Sequence, residues 1–343
     1  MRIIDQQKTM ASPAEVAYRR RRDEILRLPG MIEEVERRLL FKIGYQLPHN
    51  AIVVEFGTFL GASLACVLAG LTESPIKSSG IEMISFDGFN CHTSSGLYEY
   101  VIGYCRKAGL EDFLVRHGEV VNWRKIPSQL FGKYEEQLGF KCTKLVEQLV
   151  DESFKGTCIP ENINFLHLDM PKDWKTMRAI LISIKDKLRQ GALVCFQDYA
   201  FELSGELIVA FSLLVNTGRL VPVRCCASSV YYRVSKALDY SCIEQINSFL
   251  NRKDTFLADM ALTAPDEFKK IPGSRIAEYE AVTVACVGLI AKTGLPENTI
   301  ISHIETLLNS LDIQDLRSST VPRRIGRLLA DSLESNTPCR RTN

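Results

Sequence analysis

The chain has 343 residues, of which 46% are hydrophobic and 24% charged, and its formal net charge is +1. This composition is ordinary for a globular protein and allows one large domain or two smaller ones. A nearly neutral chain has no global field that would attract nucleic acid or a membrane surface, so we expect neither as a partner.

The chain shows no membrane span and no targeting segment. No apolar stretch reaches the roughly 18 residues that a span needs, and the first residues lack the apolar core of a signal peptide. The eleven cysteines are scattered and form no C-x-x-C pair, which favours reduced core thiols over a disulfide framework or a zinc site. We therefore expect a cytoplasmic protein.

Three regions follow one another along the chain. Residues 1–50 form a helical segment, in which Ser12-Pro13-Ala14-Glu15 can cap a helix. In residues 51–236, short apolar runs alternate with helical stretches, which predicts a domain with a parallel sheet covered on both faces. Residues 237–343 form a helical C-terminal region.

The central region predicts an α/β fold with a doubly wound, mostly parallel, Rossmann-like sheet. Its expected strands are, in chain order, AIVVEF, EMISFD, FLVRHG, NFLHLD, ALVCFQD, RLVPVRCC and SVYYRVS. No helical stretch separates the last two, so they should form an antiparallel hairpin at one edge. We expect a helix over Trp174–Gln190 and interpret residues 122–160, which are charged and helix-prone, as an insertion near the site.

The passage from the first strand into the first helix of this region is rich in small residues. It reads VVEFGTFLGAS and places Glu55, Gly57, Thr58, Gly61 and Ser63 at the turn. The spacing differs from the G-x-G-x-x-G dinucleotide fingerprint, which favours a nucleoside with a short charged tail over a pyrophosphate. The helix terminus can offer N–H groups to a carboxylate, and Glu55 would meet an ammonium group. A tight turn without a ligand is the alternative.

Acids at the ends of the next two strands are candidates for holding the rest of that ligand. Asp87, followed by Gly88, ends the second strand and is placed to bind ribose hydroxyls. Glu119 follows Gly118 after the expected third strand and is placed to face an adenine. Either acid could instead be a solvated loop residue.

The ordered set Glu55-x-Gly57-x-x-x-Gly61-x-Ser63, Asp87 and Gly118–Glu119 resembles the class I S-adenosylmethionine-dependent methyltransferases. Within residues 51–236, the segment FLHLDMPKDWKTMRAILISIKDKLRQGALVCFQDY is similar to the TylF/macrocin O-methyltransferases and the related cephalosporin-hydroxylase-like families. Those families have LDxDxYxST and GGxxxxDDY at two strand ends. Leu168-Asp169 and Thr176 match the first pattern, and Gly191 and Asp198-Tyr199 match the second.

This resemblance implies a divalent metal, such as magnesium, at Asp169 and Asp198. The chain departs from the pattern, because Pro171 stands in place of the second aspartate of LDxD and Gln197 in place of the first aspartate of DDY. A weak site that keeps waters and a site without metal both remain open.

With the family's base position lost, another group could deprotonate the acceptor. His92, in the loop after the ribose-binding strand, is one candidate, since its pKa range suits a general base. Asp173, two residues after Pro171, is the other.

The favoured function is an S-adenosylmethionine-dependent methyltransferase acting on an oxygen of a sugar or other small polar metabolite. The alternative is a catalytically impaired protein of the same fold that serves as a binding or assembly factor. A hydroxylase ranks last, because too few iron ligands converge. The insertion and the C-terminal helices could form a lid or a dimer surface, so homo-oligomerisation stays open.

Overall fold

We analysed a computed structural model of the chain, which describes residues 12–76, 80–170, 172–199, 204–252 and 254–310. Contacts within the chain group into two compact units. Unit 1 comprises residues 1–51 and 57–148, and unit 2 comprises residues 52–56 and 149–343. The division into three domains made from the sequence stays a prediction.

The structure has one larger and one smaller sheet. The strands are, in chain order, β1 (Ile52–Phe56), β2 (Glu82–Asp87), β3 (Asn90–His92), β4 (Val115–His117), β5 (Val120–Asn122), β6 (Thr143–Glu147), β7 (Ile163–Leu168), β8 (Leu188–Phe196), β9 (Leu220–Cys226) and β10 (Ser229–Val234). The larger sheet has the order β6-β2-β1-β7-β8-β10-β9, and the smaller one the order β3-β5-β4.

The strand order confirms the predicted fold class. Counted along the chain, the larger sheet runs 3-2-1-4-5-7-6, which begins with the 3-2-1-4-5 order of a Rossmann-type sheet. β1 pairs with β7, β7 with β8 and β2 with β6 in parallel, whereas β10 is antiparallel to both β8 and β9. The expected edge hairpin is therefore present.

Eleven helices accompany these strands in the described residues. They are α1 (Pro13–Leu26), α2 (Glu34–Tyr45), α3 (Ala62–Thr72), α4 (Gly96–Ala108), α5 (Lys125–Leu138), α6 (Trp174–Ile184), α7 (Gly205–Asn216), α8 (Tyr240–Leu250), α9 (Thr255–Lys269), α10 (Ile276–Ala291) and α11 (Glu297–Ser310). Within this described part of the chain, no helix is long and apolar enough to cross a membrane.

In unit 1, helix α3 forms much of the core. Its small and apolar residues are nearly all buried, and α2 lies against it. The two helices approach closely at glycines, because a Cβ added to Gly44 would lie 1.8 Å from the carbonyl oxygen of Val67. Close packing of α3 fixes the loop that enters it.

In unit 2, the strands β1, β7, β8, β10 and β9 lie with helices α6–α11. Helix α10 is buried on nearly all sides and contacts α7 and α9. A Cβ at Gly205, the first residue of α7, would lie 2.5 Å from the carbonyl oxygen of Ala285. Helices α8, α9 and α10 of the predicted C-terminal region thus pack against α6 and α7 of the same unit.

Two predictions about the elements are wrong. FLVRHG does not join the parallel sheet, because β4 pairs antiparallel with β5 through the two-residue loop Gly118–Glu119. Gly118 has a φ of 60°, which such a tight hairpin requires. The third parallel strand is instead β6, which lies inside the supposed insertion and ends in an acid.

The helix expected over Trp174–Gln190 is shorter than predicted. α6 ends at Ile184, and β8 begins at Leu188. The charged residues between these elements are compatible with a helix, so periodicity alone does not reveal the break.

In the described residues, ten cysteines are present and none forms a disulfide. Nine of them are buried and Cys158 is half-buried. This agrees with the prediction of reduced core thiols.

Candidate functional site

The loop between β1 and α3 requires glycine at two positions. Gly57 and Gly61 have φ values of 95° and 88°, which side chains disfavour. A Cβ at Gly61 would also lie 2.9 Å from the Cβ of Pro127 and 3.1 Å from the ring of Phe131. The residue before α3 must therefore remain glycine for the loop to keep its course.

The carboxylate of Asp87 is bonded to this loop. Its Oδ2 accepts the backbone N–H of Phe59 at 2.8 Å, and its Oδ1 accepts that of Phe89 at 2.6 Å. The backbone N–H of Gly57 donates to the carbonyl of Phe86 at 2.9 Å. Asp87 is 8% exposed, so these bonds form in a largely dry environment. The structure thus brings together the glycine turn and the acid of β2, which the sequence suggested separately.

Two further predicted binding residues of this loop are buried. The Thr58 hydroxyl bonds to that of Ser85, which lies within β2. Ser63 lies in the first turn of α3. Gly88 is half-buried, and its carbonyl accepts a hydrogen bond from the side-chain amide of Asn90 at 2.6 Å. Its two neighbours, Asp87 and Phe89, are hydrogen-bonded to each other. Thr58 therefore supports the loop from within.

His92 and Glu119 form a pair in the smaller sheet. His92 Nε2 lies 2.8 Å from a carboxylate oxygen of Glu119, and its Nδ1 lies 2.6 Å from the hydroxyl of Ser94. Both side chains are exposed, Glu119 to 76%. Glu119 occupies the β4–β5 loop and does not follow a strand of the larger sheet, so the premise on which it was placed near an adenine is wrong.

Glu55 lies in β1, which belongs to unit 2, and its carboxylate contacts β7 of the same unit. It is 1% exposed, and its Oε1 lies 3.1 Å from Nδ1 of His167, its register partner on β7. Burial alone would lower the pKa of His167, but contact with Cys195 and Glu55 outweighs burial and raises that pKa well above its ordinary value. His167 is internal, as predicted.

The two predicted metal ligands contact a lysine. Asp169 follows β7 and Asp198 follows β8, and the Lys172 ammonium lies 2.7 Å from Asp198 Oδ2 and 3.9 Å from Asp169 Oδ1. It also donates to the backbone carbonyl of Asp169 at 3.1 Å. The Ser228 hydroxyl donates to the other oxygen of Asp198 at 3.2 Å. Burial raises the pKa of Asp169 to about 7, against the opposing charge of Lys172.

The described residues contain no group of three or more His, Cys, Asp or Glu side chains that could hold a metal ion. Gln197 is buried next to Asp198, and Pro171 lies outside the described residues. The donor set here does not fit the divalent metal that the resemblance implies, since one of its two carboxylates is already paired with an ammonium.

Asp173 has a structural role in the helix that follows it. It is the N-cap of α6, where its Oδ1 accepts the backbone N–H of Thr176 at 2.9 Å. Such a cap stabilises a helix by about 1 kcal/mol. Its predicted role as a base stays a prediction.

The sequence interpretation missed two polar residues of these regions. Lys172 was not predicted, because the family motif specifies aspartates and not the lysine beside them. Its position three residues after Asp169 was the available signal. Glu147 ends β6 and is the register partner of Asp87. Its carboxylate accepts from Arg124 Nη1 at 3.0 Å. An acid closing the short run TKLVE was the available signal.

No family model and no curated relative matches the chain. Among solved structures, the chain is similar to the O-methyltransferase NovP, with a TM-score of 0.41 and 12% identity over 61% of this chain and 83% of that one. It is also similar to CalS11, a TDP-rhamnose 3'-O-methyltransferase of calicheamicin biosynthesis, with a TM-score of 0.39 and 16% identity over 65% and 96%.

A third similar structure is an O-methyltransferase from Bacillus cereus in complex with SAH, with a TM-score of 0.35 and 14% identity over 68% of this chain and 94% of that one. At these TM-scores and identities, the similarities decide nothing about the chemistry of this chain, which has to be argued from its own residues.

Proposed function

We propose that the protein is an S-adenosylmethionine-dependent methyltransferase that acts on an oxygen of a small polar acceptor such as a sugar. One observation carries the proposal, namely the direct bond between the carboxylate of Asp87 and the glycine turn after β1. The glycines of the first motif and the acid of the second are thereby held together in unit 1.

The residues of unit 1 fit such a cofactor chemically. Asp87 is the ribose ligand in this proposal, since a carboxylate can accept several hydrogen bonds at once. Glycines at positions 57 and 61 keep the loop free of side chains and let the backbone approach a ligand. Ser63 lies in the first turn of α3, and the positive end of a helix dipole favours a carboxylate there. Bound there, S-adenosylmethionine would supply an electrophilic methyl group.

Deprotonation of the acceptor is the second task of the chain. His92 Nε2 is paired with Glu119 and Nδ1 lies against the Ser94 hydroxyl, so the acceptor hydroxyl would have to take the place of Ser94 for the imidazole to act as a general base. We retain it as the candidate base, whereas Asp173 is occupied as a helix cap.

A binding or assembly factor of the same fold is the second candidate. The observation that favours it is the lysine paired with Asp198 at the expected metal position. Turnover separates the two candidates, because a binding factor would take up the cofactor without transferring its methyl group to any acceptor.

The first experiment is a calorimetric titration of the full-length protein with S-adenosylhomocysteine. We expect saturable binding that Asp87→Asn weakens at least about tenfold, whereas Glu82→Gln at the exposed start of the same strand leaves it unchanged. Thermal unfolding of each variant shows that it is folded before it is titrated. Absence of heat and of thermal stabilisation with the unsubstituted protein would contradict the proposal, and the glycine loop would then be only a strand–helix turn.

Transfer is then followed with methyl-labelled S-adenosylmethionine and a panel of sugars and other small hydroxylated metabolites. His92→Gln should lower kcat while leaving cofactor affinity unchanged. Binding without transfer to any acceptor would favour the binding factor.

A further inference from the structure

A half-buried lysine lies at the carboxyl ends of β7 and β8. The ammonium of Lys172 lies among three oxygen atoms, namely Oδ2 of Asp198, Oδ1 of Asp169 and the backbone carbonyl of Asp169. Carboxylate and carbonyl oxygens are also the ligands that magnesium and calcium take. The lysine therefore lies against the donors that a divalent ion would need.

The chain fixes Lys172 in this place from both sides. Asp169 is tied to β1, since its N–H donates to the carbonyl of Phe56 at 2.8 Å. Asp173, directly after the lysine, is held as the cap of α6. These two anchors hold the backbone on either side of Lys172 close to the ends of β7 and β8.

Asp198 is likewise positioned to receive the lysine. Its backbone has a φ of 54°, which is uncommon for a residue with a side chain. The Ser204 hydroxyl donates to its carbonyl at 3.3 Å, and the Ser228 hydroxyl to its Oδ1 at 3.2 Å. Both carboxylate oxygens of Asp198 are thus engaged by this chain's own donors, which leaves a metal ion only an already neutralised ligand.

We propose that Lys172 is a built-in replacement for the divalent metal that the sequence resemblance implies, so that this site works without a metal ion. A divalent ion entering beside the ammonium would meet like charge at short range, and it would have to displace the lysine from Asp198. The role of Lys172 rests on the proposed function of the protein. Cation binding, however, is measured without cofactor or acceptor, so the two proposals can fail separately.

The test is calorimetric titration of the full-length protein with MgCl2 and with MnCl2. The unsubstituted protein should show no saturable binding. Lys172→Ala should gain binding, at least about tenfold tighter than any binding by the unsubstituted protein. The gain should disappear in the double variant Lys172→Ala/Asp198→Asn, which lacks the carboxylate that the lysine leaves unpaired.

Lys175→Ala is the matched control, because this neighbouring lysine is 80% exposed and lies 3.9 Å from Glu152, away from the two aspartates. It should behave like the unsubstituted protein. If Lys172→Ala does not fold, Lys172→Met keeps the aliphatic stem, removes the charge and is titrated in its place.

Two results would overturn the proposal. One is saturable metal binding by the unsubstituted protein that Asp198→Asn abolishes, since the lysine then does not exclude the ion. The other is a folded Lys172 variant that gains no metal affinity, since the lysine then does not fill a cation position. Failure to bind S-adenosylhomocysteine, by contrast, would count against the proposed function alone.

Discussion

The carboxylate of Asp87 should be as important for the stability of unit 1 as for ligand binding. Phe59 and Phe89 have φ values of 45° and 51°, each in a region that costs a residue with a side chain about 1–3 kcal/mol. Their N–H groups are the two that Asp87 accepts, at 2.8 Å and 2.6 Å. The carboxylate thus holds two unfavourable backbone conformations in place.

Asp87→Asn tests this reasoning with almost no change of shape. An amide has one acceptor oxygen, so its NH2 group would face one of the two N–H donors, and that donor would lose its partner in a buried place. A hydrogen bond to a charged group contributes about 1.5–3 kcal/mol, and the bond that remains becomes weaker with a neutral acceptor. We expect the free energy of unfolding to fall by about 2–4 kcal/mol.

The assay is urea unfolding followed by circular dichroism at neutral pH, with Glu82→Gln as the control on the same strand. The slope of free energy against urea should stay constant, which shows that the native fold is retained. A fall of less than about 0.5 kcal/mol for Asp87→Asn would refute the reasoning, because a surface substitution has effects of that size.

Three other changes test the contacts of unit 1. Arg37 is buried and donates to four backbone carbonyls in the last turn of α1 and in the segment that leads to α2. Arg37→Met should therefore lower the free energy of unfolding by about 3–5 kcal/mol in the same urea assay. An unchanged urea midpoint would contradict this. Gly61→Ala should weaken S-adenosylhomocysteine binding and lower the melting temperature, because its Cβ would lie 2.9 Å from Pro127; a variant matching the unsubstituted protein in calorimetry would refute this. Burial opposes ionisation of Glu15, but its bonds to Lys42 and Arg38 prevail and hold its pKa at about 2, below the ordinary 4.5. The stability that Glu15 contributes is therefore complete above about pH 4.5 and is lost as the pH falls towards 2. Glu15→Gln should make the free energy of unfolding at neutral pH differ less from that at acid pH. An unaltered difference between these two free energies would argue against the ion pairs.

Much of the fold could be predicted because its signals are local. The apolar run of β1, the glycines and the small residues of α3 identify a strand, a turn and a helix without reference to the rest of the chain. The edge hairpin of β9 and β10 follows from two strand-like runs with no helical stretch between them. These elements agree in propensity and pattern, and the structure confirms them.

The third parallel strand could not be predicted because its place in the sheet depends on contacts that are distant in the sequence. β6 is a short edge strand in which only Leu145 and Val146 are apolar, so it lacks the continuous apolar run of a central strand. FLVRHG looks more like a strand of that kind, and only pairing with β5 shows where it belongs. Strand partners are set by contacts distant in the sequence, which single-sequence patterns do not contain.

Side-chain direction limited the prediction of the site. Glu55 was expected to reach towards a ligand because it stands near a strand end, yet on β1 it faces its register partner His167. Alternation along a strand decides which face a residue occupies, and the phase of that alternation cannot be read from a strand whose residues are nearly all apolar.

The two groups of predicted acids differ in what their partners leave available. Asp87 accepts two backbone N–H groups, which orient the carboxylate without cancelling its charge. Asp198 is paired with an ammonium, which neutralises it and occupies the direction from which a metal ion would approach. The N–H donors leave the negative charge of Asp87 in place, whereas the ammonium of Lys172 takes the position of a cation beside Asp198. Cofactor binding and metal dependence, which the family resemblance joins, are therefore two separate proposals for this chain, and each has its own test.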